Sequence, residues 1–298
     1  MKERMDGKKG GGLRINVGVN TRAEAEYFLG RGADEIYCGY SGVPSHFSGR
    51  PPFSSVAELS AVVRTAHKAG SRVYVAANEV HCRGAGEVIS ALKKLVAAGV
   101  DGFIVKDLET LTLLRRSGIN IDCHLSTLAL CFNSRVLAFY EGLGISRCVI
   151  PEHLPPGEAS ALLRNPYGIE TEVFFLPRYM CVNIDGICLL CDSGFCTGQA
   201  DTKLCQSQFR LAGGRSFSMP VLTPLQRLEY FYAYARRADV LKLDRTSDFL
   251  LRKDMFDAAR VMLRLVRLHR TRAGFVKVAQ ASSLEMAKRS LLTRRASK

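Results

Sequence analysis

The stretch RVYVAANEVHCRGAGEVISALKKLVAAGVDGFIVKDLETLTLLRRSG, residues 72–118, carries one pattern twice. RVYVAANEV (72–80) and DGFIVKD (101–107) are short and mostly apolar, as strands of a parallel sheet are when both faces are covered. EVISALKKLVAAG (87–99) and LETLTLLRRSG (108–118) repeat their apolar residues at the helical period and close on Gly99 and Gly118. A glycine there lets the chain leave a helix and turn into the next strand. The pattern is two βα units in succession.

The alternation extends to both sides. Upstream, LRINVGV (13–19) reads as a strand, TRAEAEYFLGRGA (21–33) as a helix with Thr21 as N-cap, and DEIYCGY (34–40) as a strand. The polar loop SGVPSHFSGRPPFSS then leads to the helix VAELSAVVRTAHKAG (56–70). Downstream come strands at 119–126, 146–152, 169–176 and 239–245, with helices at 132–144, 156–164, 224–238 and 247–270. Eight strands and eight helices are the count of a (β/α)8 barrel, so the α/β fold class is expected in its TIM-like form. An open doubly wound sheet is the runner-up, but no GxGxxG follows the first strand. The expected organisation is a flexible N-terminus (1–12), a barrel (13–272) with an insertion at 177–223, and a basic tail (273–298) with a short helix at 283–292.

The insertion after strand seven contains CVNIDGICLLCDSGFCTGQADTKLC (181–205), with Cys181, Cys188, Cys191, Cys196 and Cys205, five of the ten cysteines. Gly186, Gly194 and Gly198 let a short loop turn back repeatedly, as it must if several sulfurs are to converge. A disulfide knot is disfavoured because nothing marks the chain as secreted. Zinc ribbons usually show two CxxC pairs, and only Cys188 and Cys191 form one. Scattered core thiols do not suit this density. An iron–sulfur cluster fits the spacing best, and on the barrel model it would stand at the C-terminal face where active sites are built.

Totals narrow the setting. With 47% apolar and 23% charged residues the 298-residue chain is globular. MKERMDGKKGGG lacks the apolar core of a signal peptide, and no run approaches the roughly 18 apolar residues of a membrane span. A cytoplasmic, reducing setting is expected. The net charge of +14 is uneven: from residue 251 onward 13 Lys or Arg face three acids, a surplus of +10. Such a basic region suits RNA as partner, with a solvated helix face as the plainer account.

Polar residues recur where strands finish: Asn78 and Glu79, Lys106 and Asp107, His124 and Ser126, Glu152 and His153, then Lys242, Asp244 and Arg245. On the barrel model they share one mouth, where Asn78, Lys106, Ser126, Lys242 and Arg245 would bind a small anionic co-substrate. His124, Glu152 and Asp244 are the acid–base candidates. HExxH, GxSxG and Walker A motifs are absent from the sequence.

Several of these segments together resemble the peptidase U-32 (collagenase-like) family. CHLSTLALCFNSRVLAFYEGLGISRCVIPEHL (123–154) is similar to its strand–HLST–Asn–helix–strand segment, with Ser126 and Asn133 in matching places. GADEIYCG (32–39), DGFIVKD, EVFFLPRYMCVNIDGICLL and LKLDR resemble further signatures, so the likeness runs from about residue 13 to 260. The resemblance implies a barrel with a 4Fe–4S cluster, held by Cys181, Cys188 and Cys205 as three matched ligands. It also implies oxygen-independent hydroxylation of an RNA base or of the ubiquinone ring, with prephenate as oxygen donor for some members. The family's fourth cysteine is missing, Phe209 standing at one of its places, so Cys191, Cys196 or Cys38 must serve. Two rivals remain: a peptidase, and a non-catalytic cluster-bearing partner of a second subunit. In the helix at 247–270, an apolar stripe through Phe256, Met262 and Leu263 is expected to pack on the barrel. Arg252, Arg260, Arg264, Arg267 and Arg270 are expected to stay wet.

Overall fold

The computed structural model describes residues 12–43, 45, 52–78, 84–152, 154–176, 208–218, 222–245 and 248–282. Eight parallel strands close into a barrel: β1 (Arg14–Gly18), β2 (Glu35–Cys38), β3 (Arg72–Ala77), β4 (Gly102–Val105), β5 (Asp122–Leu125), β6 (Arg147–Val149), β7 (Glu170–Phe174) and β10 (Val240–Leu243). Each pairs with its neighbours in chain order, and β10 closes on β1 with Lys242 opposite Asn16. The helices α1 (Arg22–Leu29), α2 (Val56–Lys68), α3 (Ala85–Ala97), α4 (Leu108–Arg116), α5 (Ser134–Gly142), α6 (Ser160–Leu163), α7 (Pro224–Ala235) and α8 (Phe249–Leu268) alternate with them. This is the expected TIM-like barrel.

Two local features depart from the sequence reading. The helix expected at 156–164 shrinks to the four residues of α6, with 156–159 forming turns ahead of it. The insertion contains an unforeseen hairpin, in which β8 (Gln208–Arg210) pairs antiparallel with β9 (Ser216–Ser218). It turns on Gly213 and Gly214, at φ 98° and 85°, the Gly-Gly signal of a tight hairpin.

The βα repeat is punctuated at the N-terminal end of the barrel by two devices. Gly32, Gly70, Gly99, Gly118 and Gly144 all sit at positive φ, between 68° and 88°. At Gly70 and Gly118 a Cβ would meet nothing within 4 Å, so the backbone angle and not the space demands glycine there. The second device is an aspartate ahead of alternate strands. Asp34, Asp101 and Asp239 accept the backbone N–H of Ile15 (2.8 Å), Val73 (2.7 Å) and Thr171 (2.8 Å) on the adjoining strand. Each carboxylate satisfies a donor that has no strand partner at the sheet's end.

Side chains alternate across the strands. Ile15, Val17, Ile36, Val73, Val75, Phe103, Leu125, Val173, Leu241 and Leu243 face the helices and form the main core. The lumen holds a separate apolar group of Tyr37, Tyr74 and Ile104. The same face carries buried polar and charged residues, among them Asn16, Glu35, His124, Arg147, Glu172 and Lys242.

On α8, Phe256, Met262 and Leu263 are buried as expected, and Arg260, Arg264, Arg267 and Arg270 are exposed. Arg252 is a correction: it is completely buried. Its Nη1 donates to Gly18 O and Glu24 Oε2 (2.8 Å each), and Nη2 pairs with Glu24 Oε1. Glu24 in turn accepts from Asn20 N at 2.6 Å. The pair pins α8 onto the turn between β1 and α1, and a buried charge is tolerable only with such partners. The packed unit also runs past residue 272, because 272–282 is helical and Phe275 is fully buried against Phe231 and Tyr232, at 6.0 and 5.2 Å between ring centroids. The helix expected at 283–292 lies outside the described residues.

Candidate functional site

At the centre of the lumen stands Arg147 of β6, completely buried. It makes a two-pronged pair with Glu35 (Nη1–Oε2 2.5 Å, Nη2–Oε1 2.9 Å) and reaches Glu172 Oε2 at 3.2 Å and Glu170 Oε2 at 2.9 Å. Glu172 Oε1 accepts from Lys242 Nζ and Asn16 Nδ2, both at 2.9 Å. Arg72 and Arg14 approach Glu35 from the N-terminal end at 2.6 and 3.6 Å. Burial pushes the Glu172 carboxyl up, but Lys242 and Arg147 outweigh it and leave Glu172 below its ordinary value. Burial likewise opposes charge on Arg147, and Glu172 and Glu35 restore it. A lumen so ionic is stable because every buried charge has a close, oriented partner.

His124 of β5 lies against this network, its ring centroid 4.1 Å from that of Tyr74. Burial and the cations Arg147, Lys242, Arg72 and Arg14 hold its pKa well below 6.5, so the imidazole is neutral near pH 7. The unfolded chain would take up a proton at the ordinary 6.5, and the folded chain would not. His124 therefore contributes fully above pH 6.5, and its contribution is lost as pH falls from there towards the depressed folded value. Between those limits stability should fall by about 1.4 kcal/mol per pH unit on this account alone. Urea titrations at a series of pH values should show that slope, and His124→Gln should flatten it.

Above the network lies the C-terminal mouth. Asn78, Lys106, Ser126, Glu152, Asp244 and Arg245 all follow the C-termini of their strands and share this end. His124 and Lys242 belong to the strands themselves and stand one layer deeper. The Lys242 ammonium is engaged by Glu172 and lies 3.9 Å from the Tyr37 ring centroid, so it acts inside the network. Ser126 caps a 3-10 turn (Thr127–Ala129) by accepting from Leu128 N at 3.3 Å. Asn133 stands apart, exposed, as the N-cap of α5, accepting from Arg135 N and Val136 N at 3.1 Å. Glu79 and His153 lie outside the described residues.

Arg245 is completely buried beneath the mouth. Its backbone N donates to Tyr37 OH (3.0 Å), which donates to Leu243 O (3.3 Å). A Cβ on Gly18 would fall 2.5 Å from Arg245 Cβ, and one on Gly39 would fall 2.7 Å from its Nη1. Two glycines therefore make the space that the Arg245 stem and head occupy. Asn16 Oδ1, Tyr74 OH, Asn78 Oδ1 and His124 Nδ1 are buried without a hydrogen-bond partner among the described residues.

The chain leaves β7 at this same end through Leu176, which adopts φ 46°, an uncommon angle for leucine. Arg227 of α7 holds the Leu176 carbonyl with Nη2 at 2.7 Å and Nε at 3.2 Å. The five cysteines from Cys181 to Cys205 follow, outside the described residues. Among the described residues no group of three or more His, Cys, Asp or Glu could hold a metal. Cys38 packs in the main core between sheet and helices, and burial, partly offset by Arg245, pushes its thiol up to about 12. Its side chain belongs to the core on the helix side of the strand, away from the lumen. Cys131 and Cys148, also fully buried, share a thiol–thiol hydrogen bond.

The lumen network was not foreseen. Its signal was parity: Glu35 and Tyr37, Arg72 and Tyr74, Glu170 and Glu172 are polar residues two apart in otherwise apolar strands.

Comparison with known proteins bears on this geometry. The model of Peptidase family U32 matches residues 20–259. The tRNA hydroxylation protein P of Haemophilus influenzae is 25% identical over 221 residues, 68% of this chain and 45% of that protein. The tRNA hydroxylation protein P1 of Bacillus subtilis is 29% identical over 164 residues, 53% of this chain and 37% of that protein. The chain thus spans less than half the length of these curated relatives. A solved U32 peptidase superposes with a TM-score of 0.52 at 14% identity, covering 83% of this chain and 98% of its own, which speaks for the fold.

Proposed function

The chain belongs to peptidase family U32, and from that premise we propose that it hydroxylates a base of RNA, without molecular oxygen, at the C-terminal mouth of its barrel. The similarity to relatives named for tRNA hydroxylation carries this reading. No helix among the described residues is long and apolar enough to cross a membrane, so a dissolved polynucleotide faces no obstacle of that kind.

Cys181, Cys188 and Cys205, with Cys191 or Cys196, would hold a 4Fe–4S cluster, a donor set of thiolates of the kind such clusters take. When bound, the cluster supplies single-electron redox chemistry. The other roles fall to the chain's own groups. Arg245 and Lys106 bind a small anionic co-substrate at the rim, and the Lys242–Glu172 pair below orients that floor. His124, held neutral by burial and its cationic neighbours, offers its unpartnered Nδ1 as a hydrogen-bonding group, while Glu152 and Asp244 are the acid–base groups at the mouth. Asn78 Oδ1, buried and unpartnered among the described residues, accepts a hydrogen bond from the bound base or co-substrate.

The test is direct. Anaerobically prepared protein, reductant and prephenate are combined with unmodified tRNA, and nucleosides are analysed by mass spectrometry. One nucleoside should gain one oxygen atom. No gain on tRNA, with oxygen gained by a ubiquinone-ring precursor instead, replaces RNA by a small aromatic substrate. Peptide cleavage by iron-free protein returns the chain to peptidase chemistry.

A further inference from the structure

On α8, Lys253, Arg260 and Arg267 recur every seven residues, which is two helical turns, and Arg264 lies beside them. That edge faces α1. Lys253 Nζ stands 4.6 Å from the Tyr27 ring centroid and 5.3 Å from that of Phe249, and Arg31 lies 3.8 Å over the same Tyr27 ring. Arg260 Nη1 donates to Arg31 O at 2.9 Å, and the Arg267 guanidinium abuts Gly12 ahead of β1. The seam between the two helices is thus a single file of cations beside a half-buried tyrosine.

From Lys253 to Arg267 the file is about 21 Å long at 1.5 Å per residue. Its upper end starts just past the mouth, because Phe249 opens α8 four residues after Arg245. Its lower end reaches the opposite face of the barrel. Among the described residues, no carboxylate pairs with Lys253, Arg260, Arg264 or Arg267. Glu26 is already paired with Arg22 at 2.7 Å, and Asp257, four residues after Lys253 and three before Arg260, stands beside the row as one acid against its four cations. The surplus of like charge along the row is self-repelling, and a polyanion with regularly spaced charges relieves that repulsion.

We infer that the α1–α8 seam is a track for the phosphate backbone of RNA, leading from the mouth to the far end of the barrel. The inference rests on the RNA reading above and sharpens it: the substrate is a polynucleotide several residues long, not a mononucleotide or a free ring. A narrow line of charge with an aromatic face at its upper end suits one strand better than it suits the plane of an anionic membrane.

The experiment measures fluorescent tRNA binding by the full chain over a salt series. It compares the parent with the triple variant Arg260→Gln, Arg264→Gln, Arg267→Gln, all three exposed. With roughly 0.7 lost from the log–log slope per single-strand contact, the slope should fall by about two and affinity at 0.1 M salt about a hundredfold. The single variant Arg264→Glu should follow the same direction. AMP should bind parent and triple variant equally weakly. An unchanged slope with tRNA bound normally overturns the track and leaves the RNA reading standing. A parent that binds no tRNA defeats both. Loss of binding to phosphatidylserine vesicles in the variant, with tRNA binding intact, assigns the seam to a membrane and overturns the track.

Discussion

Arg147→Leu should remove a large share of the barrel's stability. The substitution leaves Glu35 and Glu172 fully buried, without the guanidinium that bridges them, and removes a partner of Glu170. Removing one partner of a buried pair costs about 3–5 kcal/mol, against a total of about 5–15 kcal/mol for a typical domain. Lys242 and Asn16 still face Glu172, and Arg72 still faces Glu35, so the network loses its hub and not every contact. Chemical denaturation should show the midpoint collapsing. Adding Glu35→Gln to Arg147→Met should recover part of the loss, because one buried carboxylate disappears with its partner while Glu172 keeps Lys242. A single variant as stable as its parent would mean that lumen packing, not ion pairing, holds the strands.

Anaerobically purified protein should carry about four irons per chain, and Cys181→Ala, Cys188→Ala or Cys205→Ala should each remove most of them. Comparing Cys191→Ala with Cys196→Ala identifies the fourth ligand. Cys38→Ala, Cys131→Ala and Cys148→Ala should keep their iron, because these thiols are buried in the packing of the described fold. Iron counts and the visible spectrum read all eight variants. Zinc at one per chain with no iron would dismiss the cluster.

The fold was legible because the repeat is written at both ends of each unit. Gly32, Gly70, Gly99, Gly118 and Gly144 mark the turns, and the strands between them are too apolar to be anything but sandwiched. The site was legible only at its rim. Asn78, Lys106 and Arg245 could be placed at the mouth because position along a strand reads directly as height in a barrel. Lys242 could not be placed in depth, since that depends on which way one strand faces relative to seven others. Arg252 was misplaced for a related reason: it shares a helical face with Phe256, Ala259 and Leu263, but its charge outweighed its position. Only the distant Glu24 makes that burial tolerable, and sequence spacing contains no record of a partner so remote.

The clasp of Arg252 on Gly18 joins residues 234 positions apart. During synthesis at about 5–20 residues per second, β1 therefore waits roughly ten to fifty seconds for the strand and helix that cover its outer edge. Throughout that interval its unpaired N–H and C=O groups are open to any other extended chain. The nascent protein thus passes through an open, seven-stranded stage, and the closure by β10 and α8 is also the step that removes its aggregation hazard.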